Sequence, residues 1–166
     1  MGAHVDDMAV AARKETHHAL KRHLRQHFQV TNLGDLRIYV GLTIERDRTS
    51  RTIYLSQPDY TQQILTSFSM TSCNPVATPM LPIHAAKKIT TSPLDAPATK
   101  QFQRLIGCLL YLMHETRPDL AYVVIRLSQH SAAPQTHHWD DLKWVLRTSG
   151  ARLRLDLPSV GTTTIV

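Results

Sequence analysis

Prolines set the first boundary in this chain. Between Cys73 and Ala98 stand Pro75, Pro79, Pro82, Pro93 and Pro97, spaced by small and polar residues. Each fixes its own φ and withholds a backbone donor, so neither a long helix nor a central strand can run through the stretch. Residues 73–98 therefore read as a linker, and the chain on either side of it follows a different pattern.

Before the prolines, residues 1–10 read as a hairpin. From Glu15 to Phe28, Leu20, Leu24 and Phe28 recur every four residues, which predicts a helix with one apolar face. Arg13, Lys14, Lys21, Arg22 and Arg25 occupy the rest of it, against Glu15 alone. Residues 36–45 form a β-branched run that predicts a strand. Arg46 to Arg51 is a charged turn, and residues 52–55 are the returning strand. Asp59 to Phe68 predicts a short helix with Ile64, Leu65 and Phe68 facing inward. After the prolines come three more apolar-faced helices, Lys100 to His114, Pro118 to Gln129 and Thr136 to Arg147, with an irregular tail beyond. The fold class is α+β.

With 166 residues, 42% hydrophobic and 19% charged, the chain suits one ordinary folded domain rather than a disordered segment. No apolar stretch is long enough to span a bilayer and no signal peptide is visible, so an intracellular, non-secreted protein without a membrane partner is expected. Cys73 and Cys108 lack metal-ligand spacing and read as reduced thiols. A formal charge of +6 favours polyanionic partners, nucleic acid above all.

Asp6 and Asp7, in His4-Val5-Asp6-Asp7-Met8, are the residues whose chemistry is most specific. Adjacent carboxylates repel unless a hard divalent cation lies between them, and Mg²⁺ is commonly held by one or two carboxylates plus substrate phosphates. The plainer alternative is a solvated turn, where Asp bonds nearby backbone N–H groups. His23 and His27, four apart on one helix, have the spacing of two metal ligands, but no third donor stands near them in sequence.

A series of strings adds to this. Leu33-Gly34-Asp35-Leu36 leads into Tyr39-Val40-Gly41-Leu42-Thr43-Ile44 and Leu55-Ser56-Gln57-Pro58-Asp59-Tyr60. Thr78-Pro79-Met80, Ile106-Gly107-Cys108-Leu109-Leu110-Tyr111-Leu112 and Thr116-Arg117-Pro118-Asp119-Leu120 follow, and His138-Trp139 and Lys143 to Arg147 end the series. In order and spacing the chain resembles the reverse transcriptase of Ty1/copia-type retrotransposons, over about residues 4 to 147.

The resemblance implies a truncated polymerase fold, with small antiparallel palm and primer-grip hairpins followed by a helical thumb-like bundle. It assigns 1–55 to a palm remnant, 56–72 to a first thumb-like helix and 73–98 to the linker. The thumb and connection helices take 99–147, leaving 148–166 as a divergent tail. It implies catalytic, Mg²⁺-binding roles for Asp6 and Asp7, and a primer-grip role for Tyr39, Val40 and Gly41. Arg104, Arg117 and Arg126 become phosphate contacts to an RNA/DNA template–primer, with other Pol subunits as further partners. It also places the protein in cytoplasmic element particles or the nucleus. His4 stands where the family has Tyr, and only five residues precede Asp6. The family's third aspartate and its fingers are thus expected to be missing, and the chain alone to be inactive. A nucleic-acid-binding module without chemistry, or a partner docking on intact reverse transcriptase, are the alternatives.

Overall fold

Short strands and one helix make up the first third of the chain, and helices alone follow Gln57 among the described elements. The computed structural model describes the backbone of residues 2–4, 7–80 and 91–154, with side chains placed over 8–80 and 91–150. Strands β1 (Gly2–His4) and β2 (Asp7–Ala9) pair antiparallel, His4 opposite Asp7. Helix α1 (Lys14–His27) follows, one residue earlier at each end than its apolar spacing predicts. A second sheet has the order β3 (Ile38–Tyr39), β4 (Leu42–Asp47), β5 (Thr52–Ser56), antiparallel throughout.

The run 36–45 is therefore not one strand. It reverses at Val40-Gly41, where both residues have positive φ, 50° and 77°. Left-handed backbone at both central positions is the requirement of a type I′ turn, whose twist matches that of the paired strands. Glycine meets it without strain. Val40, β-branched, does so at a cost of about 1–2 kcal/mol. At the other end of β4, the Asp47 carboxylate accepts from Ser50 Oγ at 2.7 Å and from the Thr49 and Ser50 N–H groups. These bonds, the Ser50 hydroxyl first, hold its carboxyl below the ordinary range.

The helical body begins with α2 (Pro58–Ser67), whose proline occupies the first turn, where a missing N–H costs nothing. Helix α3 (Ala96–Glu115) starts four residues before its apolar periodicity, because Asp95 Oδ1 caps the Ala98 N–H at 2.8 Å and Pro97 sits in the first turn. The predicted helix from Pro118 divides into a 3₁₀ turn (Pro118–Leu120) and α4 (Ala121–Ser128). Helix α5 (Thr136–Arg154) runs seven residues past its predicted end. Thr148 and Ser149 hydroxyls bond back to the Trp144 and Val145 carbonyls, and Gly150 lies against Leu65. With its polar groups satisfied, the helix continues into what reads as irregular sequence.

The core is formed by Ile64 and Leu65 from α2, Phe102, Leu105, Ile106, Leu109 and Leu112 from α3, Leu120, Val123, Val124 and Leu127, and Leu142, Val145 and Leu146 from α5. Every buried apolar side chain among the described residues thus lies beyond Gln57. Phe28, Leu33 and Ile38 are by contrast 66%, 86% and 69% exposed. The proline-rich stretch is anchored on both sides. Trp144 Nε1 and Thr148 Oγ1 both donate to the Thr78 carbonyl at 2.8 Å, and Arg147 Nε donates to that of Asn74 at 2.7 Å. On the far side Leu94 N donates to the Pro134 carbonyl and Thr136 N to that of Ser92. Among the described residues no helix is long and apolar enough to cross a membrane.

His138 closes the start of α5. Its Nδ1 accepts from the Gln135 N–H at 3.1 Å, the bond that Glu makes in a capping box. Burial, then the neighbouring His137 and His130, lowers its pKa to about 4. A lowered histidine favours the fold while neutral, so its contribution is complete above pH 6.5 and is lost as pH falls toward 4. Asp141, whose pKa burial raises, works in the opposite sense. Chemical denaturation at pH 7 and pH 4 should show a loss on the order of 2 kcal/mol, smaller in His138→Gln. Leu109→Ala, at a fully buried position, should cost about 2–5 kcal/mol in the same assay, while Leu33→Ala stays within about 0.5 kcal/mol.

Candidate nucleic-acid interface

The Val40-Gly41 turn does not stand free. Tyr111, on the outer face of α3, donates its hydroxyl to the Val40 carbonyl at 3.4 Å, and its Oη lies 3.6 Å from where a Cβ on Gly41 would be. Tyr60 of α2 meets the Tyr111 ring edge-on at 5.1 Å between centroids. Burial, then a hydrogen bond with the Cys108 side chain, pushes the Tyr60 pKa up to about 12, and the phenol donates to the Cys108 carbonyl at 3.5 Å. Hairpin, α2 and α3 thereby enclose a cleft of about 220 Å³ bordered by Ile38, Gly41, Thr43, Gln63 and the two tyrosines.

Gln57 links the sheet to the bundle at the base of this cleft. It is 4% exposed and lies between β5 and the first turn of α2. Its Oε1 accepts from Thr116 Oγ1 at 2.8 Å, and its backbone carbonyl accepts from the Thr61 N–H and hydroxyl. Its Nε2 is buried without a hydrogen-bond partner among the described residues. Asp59 also lines the cleft, and among the described residues no lysine or arginine does. Such a site offers hydrogen bonds, aromatic edges and close backbone approach, but little attraction for phosphate.

The residues singled out from sequence fall in separate places. Tyr39, Val40 and Gly41 form the end of β3 and the turn at the cleft rim. Asp7 opens β2, while Asp6 lies outside the described residues, as does the Asp7 side chain. Oxygen donors of this kind suit Mg²⁺. Two adjacent carboxylates nevertheless leave most of an octahedral shell unfilled, and among the described residues no group of three His, Cys, Asp or Glu could hold a metal ion. Two carboxylates alone do not complete the coordination shell that Mg²⁺ requires. His23 and His27 face each other edge-on, 5.0 Å between ring centroids, and no third donor joins them among the described residues.

The three arginines have three different environments. Arg104 is exposed on α3, its guanidinium 5.7 Å from the centre of the Phe68 ring. Arg126 is exposed on α4 and donates to the Tyr122 hydroxyl at 3.3 Å. Arg117 is buried and donates both Nε and Nη2 to the Asp119 carboxylate at 2.9 Å, a bidentate pair that holds the turn between α3 and α4. Gln57, Tyr60 and Tyr111 are site residues that sequence reasoning did not single out. All three stand inside strings that carried the family resemblance, yet their convergence depends on how α2 and α3 pack.

Residues 1–82 match the family profile described as reverse transcriptase (RNA-dependent DNA polymerase). The chain is 34% identical over 149 residues to a retrovirus-related Pol polyprotein from transposon TNT 1-94 of Nicotiana tabacum, covering 87% of this chain and 11% of that protein. It is 39% identical over 129 residues to that from transposon RE2 of Arabidopsis thaliana, covering 75% and 8%. An uncharacterized mitochondrial protein of Arabidopsis thaliana is 32% identical over 145 residues, covering 87% of this chain and 58% of that protein. No solved structure matches. The chain spans about a tenth of the length of the Pol polyproteins it matches. In its matched profile and in its identity to Pol polyproteins over most of its length, this chain belongs to the Ty1/copia-type retrotransposon reverse transcriptase family.

Proposed function

We propose that this chain is a template–primer-binding part of a retrotransposon reverse transcriptase, carrying the primer-grip-like turn and the thumb-like helices. The observation that carries this reading is the Val40-Gly41 turn, held at the mouth of a cleft by Tyr111. Glycine at position 41 carries no side chain and is exposed, which suits close backbone approach to a sugar–phosphate chain beside the Val40 carbonyl that Tyr111 engages. Asp6 and Asp7 would supply oxygen ligands to Mg²⁺, and the metal would supply activation of a primer hydroxyl and stabilisation of the leaving pyrophosphate. Two carboxylates are too few for that chemistry alone, so nucleotidyl transfer is proposed for a longer assembly and not for this chain in isolation. Its setting would be intracellular, in element particles or the nucleus.

A second reading is docking onto other parts of Pol. Exposure of Phe28, Leu33 and Ile38 in the N-terminal third favours it.

Binding of the purified chain to a labelled RNA–DNA primer–template separates the two. Affinity should fall steeply as salt rises. Gly41→Val, which places a β-branched residue at φ 77°, should weaken binding about tenfold at fixed salt, a loss of about 1.4 kcal/mol, by breaking the turn. Val40→Asn, compatible with left-handed backbone, should keep binding and raise the melting temperature. Absence of binding by a folded chain would overturn the proposal in favour of the docking reading.

A further inference from the structure

Among the described residues no lysine or arginine lines the cleft, yet the chain has a formal charge of +6. That charge is concentrated elsewhere. Arg13, Lys14, Lys21, Arg22 and Arg25 against Glu15 alone give residues 13–28 a net +4, two thirds of the chain's total. Four of these cations share one face of α1. At 100° per residue, Lys14, Lys21, Arg22 and Arg25 fall within an arc of about 100°, with His18 among them. Leu20 and Leu24 take the adjoining arc and are half-buried, so the basic stripe is directed away from the apolar side of the helix.

Lys14, Arg22 and Arg25 are exposed, and no ion pair to any of the four is found among the described residues. Lys21 Nζ donates to Asn32 Oδ1 at 2.9 Å, which fixes its direction without neutralising it. Four like charges at i, i+7, i+8 and i+11 repel one another, and the helix gains nothing from them unless counter-charge is supplied. The arginines of the helical body are differently engaged, Arg117 with Asp119, Arg104 over Phe68 and Arg126 at Tyr122.

We infer that the outward face of α1 is a phosphate-backbone contact surface for a nucleic-acid duplex, separate from the cleft. From Lys14 to Arg25 the stripe extends about 16 Å at 1.5 Å per residue, close to ten phosphates of duplex at one charge per about 1.7 Å of axis. Its cations meet phosphates and no base edges, so the contact adds affinity and salt dependence without sequence preference. The inference rests on the reading of the chain as a template–primer binder and names the surface that supplies its phosphate contacts.

The test compares the full chain with Lys14→Gln/Lys21→Gln/Arg22→Gln/Arg25→Gln on a labelled RNA–DNA duplex between 50 and 200 mM salt. Neutralising four contacts should reduce the log–log salt slope by about 3.6 and remove about 10²-fold of the affinity lost across that range. A charge-keeping variant, Lys14→Arg/Lys21→Arg, should retain the slope. Gly41→Val should lower affinity at every salt concentration and leave the slope alone, which keeps the two sites distinguishable. If circular dichroism shows that the fourfold variant has lost helix, Lys21→Gln/Arg25→Gln takes its place with half the expected change. An unchanged slope in a folded variant overturns the α1 surface while the cleft reading stands. So does preference for anionic phosphatidylserine vesicles over duplex. No binding by the folded wild-type chain overturns both.

Discussion

Burial of one face of α3 is the constraint on which the rest of this structure depends. Phe102, Leu105, Leu109 and Leu112 repeat at three- and four-residue spacing and are each about 0–1% exposed. Against them pack α2, the 3₁₀ turn and α4, and α5 closes the bundle over α2 and α4. The opposite face of the same helix carries Tyr111, which reaches the hairpin turn. One helix thus organises the hydrophobic body and orients the cleft. Its placement is secured locally, by the Asp95 cap at one end and the Arg117–Asp119 pair at the other.

Stability is unevenly distributed as a result. The helical body has a contiguous apolar core, whereas the N-terminal third has no buried apolar side chain among its described residues. Two- and three-stranded sheets with one unfilled face are marginal by themselves, and here the sheet is held by Tyr111 and by Gln57–Thr116. Regions with few buried contacts occupy the low end of local stability. The polar joint at Gln57 holds only while both partners are present, because removing Thr116 leaves the Gln57 carbonyl oxygen unpaired and removing Gln57 leaves the Thr116 hydroxyl unpaired.

Function divides along the same line. The cleft supplies shape and hydrogen bonds, with Asp59 its only charged lining residue among the described residues, and α1 supplies the positive charge. A polyanion that engages both would take its long-range attraction from one and its positioning from the other. The basic surface lies on α1 and not on the helical body, where Arg117 is engaged by the Asp119 carboxylate.

Much of the fold was legible from residue order alone. The helical periodicity of Ile64, Leu65, Leu105, Leu109 and Leu112 located the core. Boundaries were less legible. The run 36–45 has the composition of one strand, and only its left-handed backbone at Val40-Gly41 reveals a hairpin. Helix α5 continues through Thr148, Ser149 and Gly150 because the Thr78 carbonyl and Leu65 lie beside them, neighbours seventy and eighty-odd residues away in sequence. The family was determined by the sequence by itself, because ordered strings of side chains survive as text. Which of those side chains meet, Tyr60 with Tyr111 and Gln57 with Thr116, was decided only by tertiary structure, because hydrogen bonds and ring contacts form between residues that packing, and not spacing, brings within reach.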